Sequence, residues 1–257
     1  MKIRFLINAV LFSLAFCFRL GAAQEPETYS PLPVGTAIPV TFTHTLDAIK
    51  LKVGDPIIAR TDQVIILAGG QRIPRGAKLI GSVIEVQPMI SSGGPSELAI
   101  KFGTLRLRDR SFSIHVAIRA MASFVDSYST RSPAVDHGYP NDSVYRQVGG
   151  DYFYPNDTVY SNEWDEVGKD SNYGVFVKLQ NVQPSDSRNH VVCDSTYNLQ
   201  SVGVFASSAC GVYGFQDLTI DASGSDNSAI IRFHSTKHAV KIAYNSTALF
   251  QVAGTMP

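Results

Sequence analysis

The chain has 257 residues, 22 basic and 22 acidic side chains, and a pI near 7.0. This balance excludes a general nucleic-acid binder, which would present a basic face. The length suits one large domain, or one domain with an insertion.

The first element is an export signal. Lys2 and Arg4 form a positive start, Phe5 to Phe18 is apolar except at Asn8 and Ser13, and Gly21, Ala22 and Ala23 supply small residues for cleavage before Gln24. The apolar run is shorter than the ~20 residues of a spanning helix. An uncleaved anchor is the alternative. Cleavage takes three basic residues and no acidic ones, leaving 19 basic against 22 acidic. Cys17 leaves with the signal, so Cys193 and Cys210 are expected to pair as a disulfide in an oxidising compartment. Two buried free thiols are the other reading.

Residues 24–34 hold Pro26, Pro31 and Pro33 and read as an extended linker. From residue 35 to residue 122 the chain reads as the first part of a β-barrel. Ile38, Val40, Phe42 and Leu46 alternate with Thr41, Thr43 and Thr45, as a half-buried strand requires. Pro39 in that run is expected at an edge or a bulge. Val53, Gly54, Asp55 and Pro56 make a turn, and Gly69 and Gly70 make a hairpin between two apolar runs.

Ala77 to Gln87 and Glu97 to Arg108 are the two long strands. In the second, Leu98, Ile100 and Phe102 are even-numbered, whereas Leu105 and Leu107 are odd; the parity changes at Gly103. The first blurs around Gly81. A one-residue slip throws an apolar face into water, unless a glycine bulge bends the strand and keeps both halves inward. Such curvature closes small barrels. Ser111 to Met121 alternates most cleanly, with Phe112, Ile114, Val116, Ile118 and Ala120 on one face and Ser113, His115 and Arg119 on the other.

Composition changes at Ser123. Residues 123–173 hold seven of eleven tyrosines, the sole tryptophan, and nine acidic residues against three basic. Tyr139-Pro140-Asn141-Asp142-Ser143-Val144-Tyr145 recurs 15 residues later as Tyr154-Pro155-Asn156-Asp157-Thr158-Val159-Tyr160. Two copies are too few for a solenoid. The expectation is an exposed insertion, partly extended, with few aliphatic residues for a core. Strands resume at Val175 to Leu179. Leu199 to Phe215 reads as a packed helix or an irregular core segment. Three strands built on Ala229, Ile231 and Phe233, on Val240, Ile242 and Tyr244, and on Ala248, Phe250 and Val252 complete the barrel in residues 174–257.

The ordered set Gly35 to Val40, Val53-Gly54-Asp55, Ile73-Pro74-Arg75-Gly76-Ala77-Lys78-Leu79-Ile80-Gly81, Leu98 to Leu107 and Phe112 resembles the C-terminal barrel domain of TrbI-type proteins of conjugal transfer and type IV secretion. About 90 residues carry the resemblance. It implies a periplasmic β-barrel that works by assembly, with Gly76 turning a strand and Gly81 letting it curl. The family's channel members also carry an inner-membrane helix, a long Pro-rich spacer and an apolar projection. Here the spacer is short and the insertion acidic, and such a segment does not enter a bilayer. A stand-alone envelope or secreted relative is therefore expected.

No catalytic or cofactor motif is present. His234 and His238 lie four apart on a strand, about 13 Å from one another, which is no metal pair. His44 and His115 sit among strand residues. A thiol hydrolase using Cys210 with His234 or His238 and Asn245 needs a reduced cysteine. Asp165 and Glu166 suit a solvated loop better than a glycosidase pair, and Asp142 and Asp157 match no calcium loop. The insertion offers rigid amphipathic rings beside short hydrogen-bonding groups, the chemistry of adaptable recognition loops. Tyr139, Tyr145, Tyr154, Tyr160 and Trp164 are the expected ligand-binding residues, for a protein partner or a cell-wall polymer.

The reading is thus an all-β chain: a small curled β-barrel or barrel-like sandwich with a long Tyr/Asp-rich insertion. It is expected to be non-catalytic, without metal or cofactor, with no nucleic-acid partner and no spanning helix after cleavage. It is placed in the periplasm or outside the cell, and an oligomer is left open. The alternatives are a subunit of a secretion-like or conjugal transfer complex and an exported thiol hydrolase.

Overall fold

The computed structural model describes residues 32–67, 69–89, 94–135, 143–182, 193–221 and 229–253. The export signal, most of the linker, Tyr139 and Asp142 lie outside these residues.

Nine strands come first: β1 (Ala37–Phe42), β2 (Leu46–Asp47), β3 (Pro56–Thr61), β4 (Ile65–Ile66), β5 (Arg72–Ile73), β6 (Lys78–Gln87), β7 (Ser96–Arg106), β8 (Ser111–Ser113) and β9 (Val116–Ala122). A short helix, α1 (Phe124–Ser129), follows, its first turn capped by Ser123. Then come β10 (Pro133–Val135), β11 (Val144–Arg146), β12 (Tyr152–Phe153), β13 (Thr158–Tyr160), β14 (Glu166–Ser171), β15 (Gly174–Lys178) and β16 (Leu199–Ser201). The chain ends with β17 (Gly211–Tyr213), β18 (Leu218–Asp221), β19 (Ile230–Ser235), β20 (Lys241–Ile242) and β21 (Thr247–Val252).

The fold is all-β, and its main sheet is a nearly closed barrel. One edge of β7 pairs with β6 along its length; the other edge is shared by β8 and β19. After Ile114 and His115, β8 continues as β9, which pairs with β21. The circuit β7–β6–β3–β1–β21–β9 therefore closes at the β8 end. At the other end β19 and β18 extend from β7, parallel β17 extends from β9, and the ring stays open between β17 and β18.

Bulges bend this sheet. The β6–β7 ladder slips between Ile80 and Gly81, so that Ile80 faces Thr104, Gly81 faces Phe102, and Gly103 is the extra residue. Leu98, Ile100 and Phe102 on one side of the slip and Leu105 on the other all reach the barrel core. The two glycines are not equivalent. A Cβ at Gly81 would strike the Lys101 carbonyl oxygen, whereas a Cβ at Gly103 meets no atom within 4 Å. Gly81→Ala should cost about 2 kcal/mol, because the backbone of β7 must retreat. Gly103→Ala should stay within about 0.5 kcal/mol. Urea unfolding of both variants decides it; equal effects would refute the close-approach argument. Gly76 acts differently, turning the chain at φ +84° before β6.

Inside the barrel, Ile38, Val40, Phe42, Leu79, Leu98, Ile100, Phe233 and Phe250 are shielded from solvent. The Phe250 ring lies 5.2 Å from Phe102 and 6.4 Å, edge-on, from Phe42. Pro39 does not lie at the edge expected for it; β1 runs between β21 and β3. Its missing N–H faces the end of the β1–β3 ladder. The β1–β3 ladder ends at Val40 and Thr61, and beyond it only the Asp62 N–H reaches across, donating to the Pro39 carbonyl.

A second, antiparallel sheet runs β10-β11-β12-β13-β14-β15-β16 in chain order. It takes in most of the segment expected to form an exposed insertion. Val148, Val159 and Val167 from that segment are buried with Val175, Val177, Leu179, Val202, Phe205, Ala206 and Ala209. Ala37, Ala120, Ala122 and Leu249 on the outside of the barrel complete this core. The aliphatic content missing from residues 123–173 is supplied by their neighbours. Leu199 to Phe215 is irregular between β16 and β17 and contributes Val202, Phe205, Ala206 and Ala209 to this layer.

Ala120 does not share a face with Ile118, contrary to the alternation in the sequence. The β9–β21 ladder pairs Ile118 with Phe250 and Ala120 with Leu249, skipping Arg119. The bulge turns Ala120 and Ala122 outward into the second core and re-aims Arg119. Arg119 is only 1% exposed and donates to the carbonyls of Gln180, Asp194, Ala209 and Ser207 at 2.6, 2.7, 3.0 and 3.4 Å. Beside it, Cys193 and Cys210 form the disulfide.

Candidate functional site

The rings of the second sheet sort by strand parity. β11, β12 and β13 align Tyr145 with Phe153 and Phe153 with Val159 on one face, and Arg146 with Tyr152 and Tyr152 with Tyr160 on the other. Val159 is buried, so the first row faces the barrel. The second row faces outward. There the Trp164 indole stacks on Tyr152 at 6.0 Å and 7°, Tyr160 lies 6.4 Å from Trp164, and the Arg146 guanidinium sits 5.6 Å from the Tyr152 ring centre.

Trp164 is 66% exposed and has φ +67°, a left-handed conformation that costs a bulky side chain on the order of 1–3 kcal/mol. The turn from Ser161 to Asp165 holds it there. The Ser161 hydroxyl accepts from the N–H groups of Glu163 and Asp165, and the Trp164 N–H donates to the Ser161 carbonyl at 2.9 Å. The result is an exposed aromatic shelf with a cation at its end, suited to stacking against sugar rings or a partner's side chains.

Of the expected binding residues, Tyr160 and Trp164 meet on this shelf. Tyr145 does not: it lies on the opposite face, its ring 5.5 Å from Phe153. Tyr154 begins a turn in which its carbonyl accepts from Asp157. Tyr139 lies outside the described residues. Tyr152 and Arg146 were not singled out from the sequence, although their strand pairing with Tyr160 places them here.

A cleft of about 420 Å³ opens on the barrel-facing side. Asp62 and Arg75 come from the barrel, Arg131 from the end of α1, and Gln147, Phe153, Tyr173 and Gly203 from the second layer. Its floor is made by hydrogen bonds between layers. Gln63 donates to the Val175 carbonyl and accepts its N–H, and the Ser201 hydroxyl donates to the Val64 carbonyl. Gly203, at φ +61°, lets the Asp62 carboxyl lie against the backbone; a Cβ there would sit 2.7 Å from Asp62 Oδ2. Gln147 is 3% exposed and donates to the carbonyls of Gly203 and Phe205. Asp62 Oδ1 and Gln147 Oε1 are buried acceptors without a hydrogen-bond partner among the described residues.

Burial pushes the Asp62 carboxyl up from 3.8 to about 7, against the opposing pull of Arg75 and Arg131. The folded chain thus keeps a proton that the unfolded chain loses near 4. Stability is fullest below that value and falls as pH rises through 7. Asp62→Asn should flatten this slope, gaining about 2 kcal/mol at about pH 8 relative to about pH 5 in paired urea titrations. Parallel slopes for the two proteins would exclude ionisation of Asp62 as the cause.

Among the described residues, no three His, Cys, Asp or Glu side chains are placed to hold a metal ion, and no helix is long and apolar enough to cross a membrane. Cys210 is bonded to Cys193 and carries no thiol. Compared with family models, with curated proteins and with solved structures, the chain matches none.

Proposed function

We propose that this chain is an exported, non-catalytic β-barrel module of the cell envelope that binds a wall polymer through the outer face of its second sheet. The observation carrying this reading is Trp164: a large, exposed ring held in a costly backbone conformation, stacked on Tyr152, with Tyr160 beside it and Arg146 over the Tyr152 ring. A strained residue with no core to fill points to recognition. The export signal read in the sequence and the Cys193–Cys210 disulfide support an oxidising, periplasmic or extracellular setting. The resemblance to the TrbI-type barrel supports work by assembly or attachment. The Cys193–Cys210 disulfide supports this reading over the thiol-hydrolase alternative, which needs a reduced Cys210.

Sedimentation with purified cell-wall sacculi tests the proposal. Wild type should co-sediment, and Trp164→Ala should weaken retention tenfold or more, as expected for an anchor worth about 2 kcal/mol. Equal retention of the two proteins would overturn it. Retention of wild type by an envelope protein but not by sacculi would select a protein partner instead.

A further inference from the structure

The cleft around Asp62 lies on the opposite face of the second sheet from the aromatic shelf, and it has its own chemistry. Its floor holds two acceptors left unmatched among the described residues, Asp62 Oδ1 and Gln147 Oε1. A buried acceptor without a donor carries a desolvation penalty, so an occupant bringing hydroxyl groups gains more here than at an exposed surface. Both side chains line the cleft. The mouth carries two exposed cations, Arg75 and Arg131, both close enough to act on Asp62 electrostatically. Their planar guanidinium groups suit a carboxylate in a bidentate grip. Phe153 and Tyr173 supply ring surface at the wall, and the Arg72 guanidinium covers the Tyr173 ring at 4.5 Å, fixing that side chain.

Acceptors at the floor, cations at the mouth and aromatic surface between them describe one kind of ligand. We propose that the cleft between the barrel and the second sheet binds an acidic sugar of the hexuronic acid class, its hydroxyl groups donating to Asp62 and Gln147 and its carboxylate held by Arg75 and Arg131. A plain anion fails to satisfy the floor. A neutral sugar fails to use the arginines. An amine sits badly beside two guanidinium groups. The 420 Å³ volume is of the size that encloses a small ligand.

Calorimetric titration of the whole exported chain with glucuronate, glucose and inorganic phosphate tests this. Glucuronate should saturate at roughly millimolar concentration or below, at least tenfold tighter than glucose or phosphate. Arg75→Ala combined with Arg131→Ala should weaken glucuronate tenfold or more. Both residues are exposed, so the fold survives their loss. Trp164→Ala should leave the glucuronate affinity unchanged, which separates this site from the polymer-binding shelf. Absence of saturation, phosphate or glucose binding as tightly as glucuronate, or indifference to the paired arginine substitution would each overturn the proposal.

Discussion

Arg119→Met is expected to destabilise the protein by about 4 kcal/mol, the largest effect of any single substitution considered. The guanidinium is 1% exposed, its nitrogens donate to four backbone carbonyls, and the Asp194 carboxylate acts on it electrostatically. Burial pushes its pKa down only to about 10, so it stays charged at neutral pH. Removing it takes the printed donor from the Gln180, Asp194 and Ala209 carbonyls, each costing roughly 1–3 kcal/mol where water does not replace the donor, while Ser207 keeps the Gln180 N–H. Methionine refills the volume but donates nothing. Lysine keeps the charge but offers a point ammonium in place of a planar fork, so Arg119→Lys should recover less than half of the loss. Urea unfolding of the three proteins gives the answer. A lysine variant within about 1 kcal/mol of wild type would mean that charge alone, not the forked geometry, holds these loops.

The second large effect belongs to the disulfide. Cys193 and Cys210 are 17 residues apart, and closing a loop of that length is worth about 3 kcal/mol. Replacing both by serine should therefore lower Tm by about 10 °C for a chain of this size. Asp194 follows Cys193, and Ala209 precedes Cys210, so the carbonyls held by Arg119 sit directly beside the two bridged residues. The covalent link and the guanidinium thus order the same two loops. Once one is lost, the other has less to hold, and the combined variant should cost less than the sum of its parts. Strict additivity in a double-mutant cycle would show that the two act independently.

The barrel was largely readable in advance. Period-two alternation marked the strands around Ile38, Val40 and Phe42 and around Ala248, Phe250 and Val252. The parity change in Leu98 to Leu107 falls where the β6–β7 ladder slips at Gly103. The positive-φ turns at Gly54, Gly69, Gly70 and Gly76 sit where the Gly-containing runs placed them. These are local properties: side-chain direction repeats every second residue, and left-handed backbone favours glycine.

The second layer was not readable in the same way. Val148, Val159 and Val167 look too sparse for a core until Ala37, Ala120, Ala122 and Leu249 close it from the barrel's outer wall. Alternation places Arg119 on the face of Ser113 and His115, because nothing in the local pattern marks a bulge that skips it. Asp62 and Gln147 meet through Gly203, far from both in the chain, and no spacing rule links the three.

The order of residues by itself therefore determined the main barrel strands, the glycine turns and the pair of cysteines available to cross-link, since each depends on neighbours in the chain or on simple counting. Only the tertiary structure decided which outward faces became a second core, where the Arg119 guanidinium points, and which acceptors line the cleft. Those outcomes depend on register between distant strands, and a slip of one residue exchanges inside for outside.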